Sequence, residues 1–132
     1  MSISVERDEK RHWLVATATG VLASDEVTTF IRTARASEEL RMWPMLFVAN
    51  DASTNMTDED IDQAVAVVAR ALATTGARAH VAIVTSDDRL YSWMLLYEAK
   101  CVDIGVRLIR VFRQQDDAER WLQIVSAARN LQ

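Results

Sequence analysis

The stretch from Ala79 to Arg113 constrains the fold more than any other part of the chain. An apolar run, Ala79-His80-Val81-Ala82-Ile83-Val84, ends at Thr85-Ser86-Asp87-Asp88. An aromatic-rich segment with helical spacing follows, then Gly105, then a second apolar run from Val106 to Phe112. Short apolar runs rich in β-branched residues and bounded by turn signals read as buried strands. The segment between them begins on polar capping residues, with Ser86 as the expected N-cap, and stops at a glycine. Strand, helix, strand is the pattern of a βαβ unit, whose crossover is right-handed in nearly all sheets. It fixes a fold class without fixing a chemistry.

The rest of the chain agrees with that class. Ile3 to Arg7 and His12 to Thr19 form a predicted antiparallel pair around the polar turn Asp8-Glu9-Lys10-Arg11, closed by Gly20. Ser24 is the expected N-cap of a first helix, with Asp25 and Glu26 in its first turn and Val27, Phe30, Ile31 and Ala34 on one face. Pro44 interrupts, Met45 to Ala49 is a third strand, and Asn50 to Asn55 reads as a loop. Thr57 caps a second helix with a stripe of Ile61, Val65, Val68 and Leu72, ended by Gly76. A fourth helix runs from Asp116 to Arg129 with Ala118, Trp121, Leu122 and Val125 on one face. The order is β-β-α-β-α-β-α-β-α: an α/β fold with a mixed sheet of about five strands, in a single domain over residues 1–132. The three glycines, Gly20, Gly76 and Gly105, are all placed at element ends.

Composition narrows the function. A chain of 132 residues can bury a core without disulfides, and the single cysteine, Cys101, points to a reducing cytoplasm. The net charge of −4 argues against nucleic-acid binding and against an anionic membrane surface. The start of the sequence has no signal-peptide core, and no stretch approaches the length of a membrane span.

Catalytic and cofactor motifs fare poorly. There is no GxGxxG or GxxxxGK[ST], and every predicted helix start carries acids that would repel a phosphate. Cys101 sits on an apolar stripe, as inert core cysteines do. His12 and His80 lie at strand starts, and a parallel sheet gathers ligands at the other end. Asp51, Ser53, Asn55, Thr57, Glu59 and Asp62 echo an EF-hand loop, but Met56 stands where glycine is needed and Asp62 replaces glutamate. The reading is of no metal, no cofactor and no enzyme activity.

The third helix is the least routine element. Leu90, Trp93, Met94, Tyr97, Cys101 and Ile104 share a face, and Tyr91, Leu95 and Val102 widen it, interrupted by Glu98. So broad an apolar surface either lies under a neighbour or serves a partner or small ligand. Tyr91, Trp93, Met94, Leu95 and Tyr97 are the candidate surface, with Trp93, Met94 and Tyr97 as walls of an apolar pocket between helix and sheet.

The layout resembles the SpoIIAA-like (STAS/SEC14-like) family of small bacterial cytoplasmic proteins. The likeness is carried by Val5-Glu6-Arg7 with Trp13-Leu14-Val15-Ala16-Thr17, by Gly20-Val21-Leu22, and by Val81-Ala82-Ile83-Val84 with Asp87-Asp88. It continues through Tyr91, Met94 to Ala99, Val111-Phe112-Arg113, and Ala118 to Trp121-Leu122. The resemblance implies a non-catalytic fold used for protein regulation or for small, often apolar, ligands. In the antagonists proper, a serine in an Asp-Ser-[Ser/Thr]-Gly motif opening the second helix is phosphorylated. Here that place reads Met56-Thr57-Asp58-Glu59, without the glycine, and a phosphate on Thr57 would meet like charge; the phosphorylation switch is not carried over. The expected function is a regulatory or protein-interaction module, possible as a homodimer, and the alternative is a carrier or sensor of a small apolar ligand beside the third helix.

Overall fold

The sheet alternates side chains to two faces, and each face finds its own helices. In the computed structural model, which describes residues 2–34, 42–75 and 79–130, nine elements follow in the expected order. They are β1 (Ser2–Asp8), β2 (Trp13–Leu22), α1 (Ser24–Ala34), β3 (Met45–Thr54), α2 (Asp58–Thr75), β4 (Val81–Val84), α3 (Asp88–Asp103), β5 (Ile109–Phe112) and α4 (Gln115–Asn130). The five strands lie side by side in the order β1-β2-β3-β4-β5. β1 is antiparallel to β2 and every other pair is parallel.

Leu14, Ala16, Met45, Phe47, Ala49, Ile83 and Val111 point to one face, where they join residues of α2 and α3 in the larger core. The apolar side of α1, Val27, Phe30 and Ile31, packs against that core while remaining partly exposed. Alternate residues Trp13, Leu46, Ala82 and Val84 point the other way and pack under Ala118 and Leu122 of α4. Phe112, Trp121 and Val125 complete this smaller core from its margin.

Several local expectations are corrected. Gly20 does not close the hairpin: β2 continues to Leu22, and Gly20 sits inside it at φ 80. The β2–β3 register shifts between Thr17 and Thr19, so the left-handed glycine lies just past an irregularity in the pairing. The predicted loop from Asn50 is strand as far as Thr54, because it stays paired with Thr19 to Leu22. Ser24 is inside α1 and Ala23 supplies the first carbonyl, accepting from Val27 N at 3.1 Å. Ser86 does not cap α3; the Asp87 carboxylate accepts from Leu90 N at 2.9 Å. Ile104, placed on the inner face of the third helix, follows the helix as its C-cap and is 50 % exposed. Thr57 does cap α2, in a reciprocal arrangement: its backbone N donates to the Asp60 carboxylate at 2.8 Å, and Asp60 N donates to its hydroxyl at 3.4 Å. Gly76 and residues 35–41 lie outside the described residues, so Gly76 as helix stop is not described.

Candidate functional site: an apolar cavity beside α3

Three helices cover one face of the sheet without filling the space beneath them. A cavity of about 120 Å³ lies between α1, α2, α3 and the strands. From the sheet, Ile3, Met45, Phe47, Val81, Ile83 and Ile109 line it. From above come Val27, Phe30 and Ile31 of α1 and Val68, Ala71 and Leu72 of α2. Trp93, Met94 and Tyr97 of α3 form a third wall. Ala79, Val106 and Leu108, in the segments entering β4 and β5, complete the described lining. Met45, Val81 and Ile109 begin their strands, so the cavity reaches the amino end of the parallel strands. Ligand crevices of open α/β sheets normally open at the carboxyl end.

The helical spacing of α3 explains its contribution. Positions 90, 93, 94, 97 and 101 follow the three-four alternation of one helical face, and all five are buried. Trp93 and Tyr97, one turn apart, stack with ring centroids 5.9 Å apart and planes 15° from parallel. Across the cavity Phe30 and Phe47 meet edge to face at 5.4 Å. The polar tip of the Trp93 ring is occupied: its Nε1 donates to Thr57 O at 3.1 Å.

Of the five candidate residues, the structure brings Trp93, Met94 and Tyr97 to the cavity and leaves two elsewhere. Leu95 is 39 % exposed on the outer side of α3, beside the exposed Leu96. Tyr91 is half-buried beneath the Arg113 guanidinium, 4.6 Å from its ring centroid, and Arg113 also pairs with Asp88. Glu98, which interrupts the apolar surface in sequence, accepts from Val111 N at 2.7 Å and so engages a backbone donor of the edge strand β5. The lining residues from α1, α2 and the strands were visible only as members of separate stripes.

The carboxyl edge of the sheet is stitched shut by its own side chains. Thr54 Oγ1 donates to Leu22 O and accepts from Met56 N, while Thr85 Oγ1 donates to Ala49 O and accepts from Asp87 N. Both threonines are buried and both are satisfied, and Ser86 Oγ donates to Asn50 O. His12 and His80 stand apart from this edge, against the rings of Trp43 and Trp121 respectively. Cys101 is fully buried, and desolvation pushes its thiol up to about 11. Glu59 and Asp62 of the EF-hand echo lie in α2, and Lys100 pairs with Asp62. Among the described residues no group of three or more His, Cys, Asp or Glu is arranged to hold a metal, and no helix is long and apolar enough to cross a membrane.

Sheet order, crossovers and helix placement define an α/β domain of the SpoIIAA-like fold. A crystal structure of an uncharacterized protein of the DUF3478 family with a SpoIIAA-like fold, from Shewanella loihica PV-4, is similar at a TM-score of 0.52 and 16 % sequence identity, over 92 % of each chain. No protein-family model matches this chain, and no curated protein matches it. The similarity establishes the fold.

Proposed function

We propose that this protein is a non-catalytic SpoIIAA-like module of the cytoplasm that carries or senses a small apolar ligand in the cavity beside α3. The observation that carries the reading is the cavity itself: about 120 Å³ of space with an apolar and aromatic lining. Protein interiors normally close such gaps, because unfilled space forfeits dispersion contacts. Binding pockets are the usual exception, concave and mostly apolar with few polar groups.

Toluene tests it as a small apolar probe. With methyl-labelled protein, titration shifts the Met45 and Met94 resonances saturably, while methyls under α4 stay in place. Unmoved Met45 and Met94 resonances at saturating toluene would remove the proposal.

A second reading, a regulatory protein-interaction module acting as a homodimer, is favoured by the outer surface of α3. Leu95 and Leu96 leave large apolar side chains exposed there. Analytical ultracentrifugation of wild type against Leu95→Glu decides it: a dimer lost in the variant supports the reading, and a monomer at high micromolar concentration in the wild type sinks it.

A further inference from the structure

We infer that the cavity takes an electrically neutral ligand whose buried part is about the size of a single six-membered ring, and that it rejects ionised carboxylates and ammonium groups. The inference rests on the cavity being a binding site and specifies what can enter it. Size comes first. An apolar cavity of roughly 150 Å³ accepts benzene, and the space here, about 120 Å³, is of the same order. It admits one ring or a short branched alkyl group without displacing a helix.

Charge is excluded by what the lining lacks and by what stands next to it. None of the described lining residues is ionisable at neutral pH. The Trp93 Nε1 is already engaged by the Thr57 carbonyl. A carboxylate drawn in would lose its water and meet no charged donor among the described lining residues, which is the costly way to bury a charge. The neighbouring groove between β1 and α1, which shares Ile3 and Phe30 with the cavity, carries Asp25 and Glu26. Those acids add repulsion for an approaching anion. An ammonium group is attracted to them at the surface, but inside the cavity it meets the same desolvation without a counter-charge.

Toluene, benzoate and benzylammonium share a ring and differ in charge, so their titration at neutral pH isolates the term. Toluene is expected to shift Met45 and Met94 saturably, with benzoate and benzylammonium weaker by about 30-fold or more, a conservative reading of an unpaired buried charge. Comparable affinities for all three, or a tighter benzoate, overturn the inference while leaving the cavity a binding site. Failure of all three to move those methyls removes the site itself.

Discussion

The two faces of the sheet are built from the same alternating strands and are packed to different standards. Under α4, Trp13, Leu46, Ala82, Val84, Ala118 and Leu122 are each no more than 2 % exposed. Ala82 on the strand and Ala118 on the helix let α4 sit close, with Val48, Phe112, Trp121 and Val125 partly buried at the margin. The opposite face has three helices, yet a cavity remains beneath them and the apolar side of α1 is only partly buried. One face supplies cohesion and the other keeps room.

The largest expected effect therefore lies under α4. Leu122→Ala removes a fully buried side chain and costs about 3 kcal/mol or more in urea unfolding. Toluene still shifts Met45 and Met94, because the cavity is on the other side of the sheet. A loss below about 1 kcal/mol would mean that the α4 face is not the better packed one.

The second effect is specific to alkaline pH and belongs to the cavity side. In the folded chain the Cys101 thiol stays neutral to about 11, against an ordinary value of 9.0. Between those values the unfolded chain releases a proton that the folded chain keeps, so stability falls as pH rises from 9 towards 11. Below pH 9 both states hold the proton and the effect vanishes. The wild type is expected to lose about 2 kcal/mol across that window relative to Cys101→Ser, a difference read from urea unfolding at pH 8 and pH 11. Equal pH profiles for the two proteins would show that water reaches the thiol and that this side is wetter than its lining suggests.

Part of this contrast was legible in the sequence. The order of elements along the chain was readable because short apolar runs and capped helix starts are local signals, and Trp93, Met94 and Tyr97 were readable because helical spacing puts them on one face. Which stripe meets which was not readable. Phe30, Phe47, Val68 and Leu72 each sit on an ordinary apolar face, and only the crossing of α1 and α2 over the sheet turns those faces towards a common space. The extension of β2 past Thr19 and of β3 past Ala49 was hidden for the same reason, since the pairing of Gly20 with Ala52 is a contact between distant residues. Ser24 and Ser86 were reasonable caps by residue type. In the fold, the last non-helical residue lies one position earlier at Ala23 and one later at Asp87. Leu95 looked like part of the broad face of α3, but a helix has one buried side here, and that residue falls outside it.

The smallest expected effect is also the sharpest test of the comparison, because it adds the same atoms to both sides. Ala118→Leu forces a larger side chain between α4 and the sheet, where Ala118 is fully buried in one cluster with Leu46, Ala82 and Val84. Overpacking of that kind costs about 1–3 kcal/mol. Ala71→Leu adds the same group on α2 at the wall of the cavity, where it has room to enter. Its stability change is expected to stay within about 0.5 kcal/mol of zero or to be favourable, since the new methyl groups gain contacts instead of displacing them. The same substitution should abolish the toluene-induced shifts of Met45 and Met94. If Ala71→Leu destabilises as much as Ala118→Leu, the space beneath the three helices is already closed in solution and the two faces are alike. If it is neutral and toluene still binds, the cavity is real but the ligand enters by a wall other than α2.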